Sequence, residues 1–569
     1  MVIEGAAFPV PGAPLEASML AKLSTRPSIR RRAVTGAVGL ALLGAGLPTA
    51  VAEGTMAQGT EPDLSRFYRQ KVKWAACEGQ DAPKDLQCGK VTVPLDYTRP
   101  KGGTLDLALA RYRATGKPRG SVVLNFGGPG GAGVSELAAG GEDFMELTDG
   151  YHVVSFDPRG VGRSSPVSCG EGFEDLAEAT DGDGDVNDPH PELARLRKAA
   201  EECEKNSGPV LPHIGTVNAS RDLDVIRAAL GDDKLNYLGF SYGTRLGAVY
   251  AAQFPDKVGR LALDGVDTLT EPLTEQARVG ALGQQTALEN FLDWCTEGIA
   301  CPFGQDARDA REQVVRLIES LDEDPVPTGF GAPFSGQDLV GAIGQGLYSK
   351  EMWPLLARAL AQLVEDGDTR GVEAFASGGF AIPQRAGKER PQKEGGHEKR
   401  RDRERAGRPH RDLVDEGEVP LDNLPAALMA INCADDPDRP APGRVAENLR
   451  RLRDRYEQAS PVFGRYRLTQ VLMCHGRPKG TDFIREKVKD VDTPKMLLVG
   501  TRGDPATPYR WTEQTAKRLG PSAVVLDNKG EGHTGYASSE CVHGKVDSFL
   551  LYGTLPPDGS SCGPDEDDD

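Results

Sequence analysis

The segment Lys234-Leu235-Asn236-Tyr237-Leu238-Gly239-Phe240-Ser241-Tyr242-Gly243-Thr244-Arg245-Leu246-Gly247-Ala248-Val249-Tyr250 decides how this chain folds. Lys234 to Gly239 reads as a short buried strand. A sharp turn follows at Phe240-Ser241-Tyr242, and Thr244 to Phe254 reads as a helix with Leu246, Val249, Tyr250 and Phe254 apolar. Glycines flank the turn, so Gly239-Phe240-Ser241-Tyr242-Gly243 has the small-x-Ser-x-small pattern of a nucleophile elbow. That pattern lets strand and helix backbones approach closely while a strained corner pushes the serine hydroxyl outward. The pentapeptide alone is common in long proteins, where it marks only a turn. Its place between a strand and a helix gives it weight.

Working outward, Ser220 is read as the cap of a helix ending at Leu230, with Asp222 in its first turn and Gly231 as its stop. Leu261 to Val266 is the next strand. Upstream, Val91 to Leu95, Leu105 to Tyr112, Ser121 to Phe126 and Tyr151 to Phe156 are strand candidates. This alternation of strands and helices predicts a mostly parallel sheet covered on both faces. It lapses from about residue 269 to 489, a largely helical span (Gln284 to Cys295, Ala307 to Leu321, Pro354 to Glu365, Pro442 to Gln458). A mixed-charge run at about 385–412 lacks apolar periodicity and reads as a flexible loop rather than a nucleic-acid patch. The sheet pattern returns with Lys495 to Gly500, a helix from Pro508 to Leu519 with Thr507 as its cap, and a strand from Ala523 to Leu526. The expected fold class is thus α/β: residues 53–268 and 490–569 form a discontinuous core, and 269–489 form an inserted helical cap.

A serine hydroxyl is a poor nucleophile at neutral pH and needs a base, which in turn needs an orienting acid. On a serine elbow of this kind the acid follows the serine and the histidine follows the acid. Asp504, in Gly500-Thr501-Arg502-Gly503-Asp504-Pro505, comes just after a strand. His533, in Gly530-Glu531-Gly532-His533-Thr534-Gly535, follows the last strand candidate. Either could be structural alone; order and spacing together select them. The rival histidines (His152, His213, His397, His410, His475, His543) and acids (Asp492, Asp527) sit in less suitable contexts. Gly127-Gly128-Pro129-Gly130-Gly131 after an apolar strand offers backbone N–H groups for the negative oxygen created by attack. Gly128, preferred to Gly127, and Tyr242 are the expected donors. The loop lacks the Lys-Ser/Thr ending of a phosphate-binding loop.

Composition bounds the rest. The 569 residues carry a formal net charge of −18, a balance that repels phosphate backbones and argues against nucleic acid as a partner. Arg26, Arg30, Arg31 and Arg32, an apolar run from Ala33 to Leu47, and Ala50-Val51-Ala52 read as an export signal spanning residues 1–52. That run is too short and small for a stable membrane anchor. Export makes the ten cysteines readable as disulfides. Neighbouring pairs are Cys77–Cys88, Cys169–Cys203, Cys295–Cys301, Cys433–Cys474 and Cys541–Cys562, the first and third having the shortest loops. A zinc site finds no suitable spacing beside histidines, so no metal is expected.

Asn125-Phe126-Gly127-Gly128-Pro129-Gly130, Asp157-Pro158-Arg159-Gly160, Gly239 to Thr244, Gly503-Asp504-Pro505 and Gly532-His533-Thr534 together resemble the secreted tripeptidyl aminopeptidases of actinomycetes. These are relatives of the proline iminopeptidases within the α/β-hydrolase superfamily. The resemblance covers nearly the whole chain after residue 52. It implies an α/β-hydrolase fold, hydrolysis of peptides from a free amino end, and no cofactor. Asn125-Phe126 departs from the His-Gly that many relatives carry there; backbone amides would still serve the oxyanion. An enzyme of this kind must hold an ammonium in a closed site, which calls for a carboxylate. Asp435 or Asp436, beside Cys433, is the expected partner, with Asp293 and Glu297 in reserve. A carboxylesterase using the same residues and a catalytically silent binding protein are the alternatives.

Overall fold

Short β-branched and leucine-rich runs separated by glycine turns give ten strands among the described residues: β1 (Ala75–Ala76), β2 (Gln87–Pro94), β3 (Thr104–Tyr112), β4 (Ser121–Asn125), β5 (His152–Phe156), β6 (Leu235–Phe240), β7 (Val258–Asp264), β8 (Met496–Gly503), β9 (Ala523–Glu531) and β10 (Ser560–Cys562). They form one sheet in the order β1-β2-β3-β5-β4-β6-β7-β8-β9-β10. Pairing is antiparallel from β1 to β5 and parallel from there to β10. The computed structural model describes residues 62–77, 83–170, 189–328, 333–376, 413–439 and 442–563. The segment 1–52, the run 385–412 and the acidic end of the chain lie outside the described residues.

Buried on both faces, the central strands divide their side chains by the two-residue period of the pleat. Val123, Tyr237, Leu261, Leu263 and Leu498 point into one apolar cluster. Val122, Leu124, Leu238, Ala262, Leu497 and Val499 point into the other. Helices α1 (Gly133–Gly140), α2 (His190–Asn206), α3 (Thr216–Leu230) and α4 (Tyr242–Gln253) belong to the first half of the chain. Between β7 and β8 come α5 (Leu273–Glu297), α6 (Ala307–Glu323), α7 (Gly336–Gly346), α8 (Trp353–Asp366), α9 (Arg370–Ala376), α10 (Asn423–Asp435) and α11 (Val445–Ala459). Helices α12 (Tyr509–Leu519) and α13 (Glu540–Tyr552) complete the chain. Helices α5 to α9 share an apolar cluster of their own, centred on Phe291, Leu339, Ile343, Trp353 and Leu356. Helix α10 is different: Ala426, Ala427, Ala430 and Ile431 pack into the same cluster as the sheet. The chain thus leaves and rejoins the core within the span read as a cap.

All five neighbouring cysteine pairs are disulfides: Cys77–Cys88, Cys169–Cys203, Cys295–Cys301, Cys433–Cys474 and Cys541–Cys562. No described helix is long and apolar enough to cross a membrane.

Two local expectations fail together. Ser220 is not a cap; α3 begins at Thr216 after Gly215. The orphan N–H of Thr216 donates to Oδ1 of Asp435 at 2.8 Å, an acceptor that lies far along the chain and is invisible to local pattern. Asp222 is not a first-turn residue either. It is fully buried and receives Arg159 Nε and Nη2, each at 2.6 Å, and the Tyr97 hydroxyl at 2.8 Å. Arg159 also donates to the carbonyls of Pro94, Leu95 and His213, so its guanidinium ties β2 and the Asp157-Pro158-Arg159-Gly160 turn to α3.

Removing one member of a buried pair strands the other charge without solvent. Arg159→Met should therefore lower stability by about 3–5 kcal/mol, read as a shift in denaturant midpoint. The double change Arg159→Met with Asp222→Leu should cost less than the single one.

Candidate active site

The turn at Ser241 is strained. Its φ of 54° and ψ of −123° lie where non-glycine residues are rare, at a cost of about 1–3 kcal/mol. Neighbours hold it there. The Ser241 N–H donates to the carbonyl of Asp264 at the end of β7 (2.9 Å). The Ser241 carbonyl accepts from the Thr244 amide (2.9 Å) and hydroxyl (2.6 Å). Close approach also demands glycine at 243, since a Cβ there would sit 2.7 Å from the Asn125 carbonyl.

Asp504 and His533 meet beyond the carboxyl ends of β8 and β9. His533 Nδ1 lies 2.9 Å from both carboxylate oxygens of Asp504. The acid is buried, and it is held by the amides of Ala506 (2.8 Å) and Thr507 (2.7 Å), by the Thr507 hydroxyl (2.8 Å) and by the Thr534 amide (3.3 Å). Thr507 therefore orients the acid and does not cap α12, which starts one residue beyond Pro508. Burial alone would push the imidazole pKa down. The charge and hydrogen bond of Asp504, with the charges of Asp264 and Asp267, outweigh it and leave the pKa raised.

Register carries the glycine loop to the serine. Asn125 of β4 pairs with Gly239 of β6, so the glycine run after β4 lies beside the elbow. A Cβ on Gly127 would come within 3.0 Å of Ser241 Cβ. The Gly127 N–H is occupied by Asn125 Oδ1 at 3.3 Å, which leaves Gly128 as the next amide of the loop. Tyr242 opens α4, so its N–H has no intrahelical acceptor.

Sequence reasoning missed several residues here. Phe126, Phe144, Phe240 and Tyr536 form an aromatic cluster with centroids 5.5–6.1 Å apart, joining the glycine loop and elbow to the histidine loop. Tyr348, after α7, accepts the His533 N–H on its carbonyl at 2.8 Å and sets its ring edge-on to the imidazole at 5.2 Å. Only contacts distant in sequence reveal these roles.

The expected amine partners are engaged elsewhere. Asp435 is buried, its carboxylate accepting from the Thr216 amide and hydroxyl. Asp436 binds Arg485 at 2.5 Å and the amides of Leu273 and Asp438. Each carboxylate thus already accepts internal hydrogen bonds, which weakens the case for either as the holder of a substrate ammonium. Asp293 pairs with Arg311 at 2.9 Å on the surface and Glu297 is exposed. The rival acid Asp527 is held by Arg502. Among the described residues, Glu146, His543 and Asp547 form a group whose ligand atoms lie within 4.8 Å of one another. A His543–Asp547 ion pair, which raises the His543 pKa, accounts for that arrangement.

Known proteins resemble the chain along its whole course. Residues 121–346 match the family described as alpha/beta hydrolase fold, and residues 460–562 match the TAP-like protein family. The serine protease Hip1 of Mycobacterium tuberculosis is 33% identical over 95% of this chain and 99% of its own length. A tripeptidyl aminopeptidase of Streptomyces coelicolor is 30% identical over 89% of both chains. Carboxylesterase B of Mycobacterium tuberculosis is 29% identical over 84% of this chain and 87% of its own.

The raised imidazole pKa fixes a sign. A base must be neutral, so kcat/KM should fall as pH drops through a value above the ordinary 6.5 of histidine. Asp504→Asn removes the main opposing charge, so the acid limb should move to lower pH while kcat falls about 10⁴-fold. A pH–rate profile of both proteins on one chromogenic ester checks both.

Proposed function

The chain belongs to the tripeptidyl-aminopeptidase-like family of α/β-hydrolases, and from that premise we propose that it is an exported serine exopeptidase acting on peptides with a free amino end. The observation that carries this reading is the 2.9 Å contact of His533 Nδ1 with Asp504 at the sheet edge where the Ser241 turn emerges. With Nδ1–H donating to the carboxylate, Nε2 is the nitrogen left to take the Ser241 proton. Ser241 Oγ attacks the scissile carbonyl as His533 accepts its proton. The carbonyl oxygen, now negative, is met by the amides of Gly128 and Tyr242. Protonated His533 then gives its proton to the leaving amine, and the acyl-enzyme forms. Water, deprotonated by His533, releases the peptide acid and restores Ser241.

Hydrolases and proteases among the relatives support a peptidase, and the five disulfides suit an oxidising compartment. A chain of net charge −18 repels nucleic acid and attracts cationic ends. One observation favours a carboxylesterase instead: Asp435 and Asp436 are spoken for internally, and a relative of similar extent bears that name.

Mass spectrometry of products from matched peptides with free and acetylated amino ends separates the readings. Short N-terminal fragments from the free peptides alone are expected; equal cleavage of both, or hydrolysis of esters only, would sink the exopeptidase. Ser241→Ala should abolish turnover and fluorophosphonate labelling in a folded protein. His533→Ala should lose on the order of 10⁴ or more in kcat, because the two groups act as one unit.

A further inference from the structure

Asp264, the last residue of β7, contacts both the serine turn and the loop that bears His533. Its carbonyl receives the Ser241 N–H at 2.9 Å. Its carboxylate receives the Gly535 N–H at 3.0 Å on each oxygen and the Tyr536 N–H at 2.8 Å. Those amides lie two and three residues beyond His533. The side chain is 0% exposed, so the loop amides have no water to turn to if the carboxylate is lost. Gly265 continues the contact: a Cβ there would meet Thr534 Cγ2 at 3.0 Å, Thr507 Oγ1 at 3.1 Å and His533 Cε1 at 3.4 Å.

We propose that Asp264 is the positioning residue that fixes the histidine loop to the strand end carrying the serine turn, and that it sets a buried negative charge beside that loop. The proposal rests on the assignment of Ser241 and His533 to the chemistry. One residue serves both halves because its main-chain oxygen and its side chain point to different loops. The spacing between nucleophile and base is then set by a single rigid strand end and not by two independent loops.

The charge arrangement supports the second half. The negative groups acting on the imidazole are Asp504, Asp264 and Asp267. Asp267 is neutralised by Arg245 at 2.9 Å, and Tyr348 meets the ring with its edge from the cap side. Asp504 and Asp264 are thus the two carboxylates near His533 without a cationic partner among the described residues. Desolvation pushes the Asp264 carboxyl up to about 6 against its two amide donors. It is ionised at neutral pH, where the proton passes through His533.

Asp264→Asn tests this. The amide retains one acceptor but presents an NH2 to a loop amide that needs an oxygen, and it removes the charge. Hydrolysis of p-nitrophenyl butyrate should show kcat about 10²-fold lower, the loss that follows from a misplacement near 1 Å, with KM within about twofold. The rate of fluorophosphonate labelling should fall in parallel. The acid limb of kcat/KM should move to lower pH, because a lost negative charge makes the imidazolium less favourable. A thermal melt establishes that the protein assayed is folded. If Asp264→Asn does not fold, Asp264→Ser, smaller and able to accept one N–H, is judged by the same readouts. Parental kcat, or a lower melting temperature with an unmoved acid limb, would overturn the proposal. Ser241→Ala, assayed alongside, separates the two failures: if it is inactive while the Asp264 variants behave like the parent, only the positioning role falls. Activity in Ser241→Ala would bring down the underlying assignment.

Discussion

A serine held at positive φ at the end of a parallel strand is the constraint on which the rest of this molecule depends. The strain is stored because every neighbour is committed. Asp264 takes the Ser241 amide, Thr244 fills its carbonyl, and Asn125 presses against Gly243. Those partners come from β7, α4 and β4, so the turn survives only if three strands keep register. The pairings Asn125↔Gly239 and Phe240↔Asp264 are therefore requirements of the turn as much as of the sheet.

Around that edge the loops are fastened by buried carboxylates. Asp157 accepts from the amides of Val134 and Arg163, Asp264 from those of Gly535 and Tyr536, and Asp435 from Thr216. Desolvation pushes all three up to about 6. The sign of the linkage matters. A carboxyl whose folded pKa exceeds its unfolded value near 4 binds protons more tightly when folded. Its contribution to stability is lost as pH rises from about 4 to 6. At neutral pH these acids cost stability, and what they supply is geometry: an acceptor with two fixed oxygens where a loop has amides to satisfy.

Local pattern disclosed the elements whose signal is local. The strand–turn–helix at Ser241, the apolar runs of the central strands, and the loops bearing Asp504 and His533 each announce themselves within about ten residues. The paired cysteines were legible because each finds its partner next along the chain. The start of α3, placed at Ser220, and the role of Thr507 were misread for one reason: local rules assign a hydroxyl or a helix start to the nearest groups, whereas here Asp435 and Asp504 are the partners of Thr216 and Thr507. Asp435, expected to face a substrate, was likewise read without its distant partner Thr216. Paired acids beside a tethered cysteine look available in sequence, and only the fold shows α3 arriving to consume one of them. Asp264 escaped notice because the strand was read through it, from Leu261 to Val266, whereas it is the residue at which the strand ends.

The insertion point of the helical span follows from these contacts. The chain leaves the sheet after Asp264 and returns at β8 to deliver Asp504, so the inserted helices are bracketed by two residues that hold the histidine loop. They also touch that loop directly. The carbonyl of Tyr348 takes the His533 N–H, and its ring, 42% exposed, stands edge-on to the imidazole. Asn290 of α5 donates to both oxygens of Glu531, two residues before His533, at 3.0 Å. The loop is thus gripped from the sheet side by Asp264 and from the helical side by Tyr348 and Asn290. A displacement of the inserted helices that broke the second grip would alter the imidazole's setting without touching Ser241. In this architecture the inserted helices and the sheet hold one short loop, the one that carries His533.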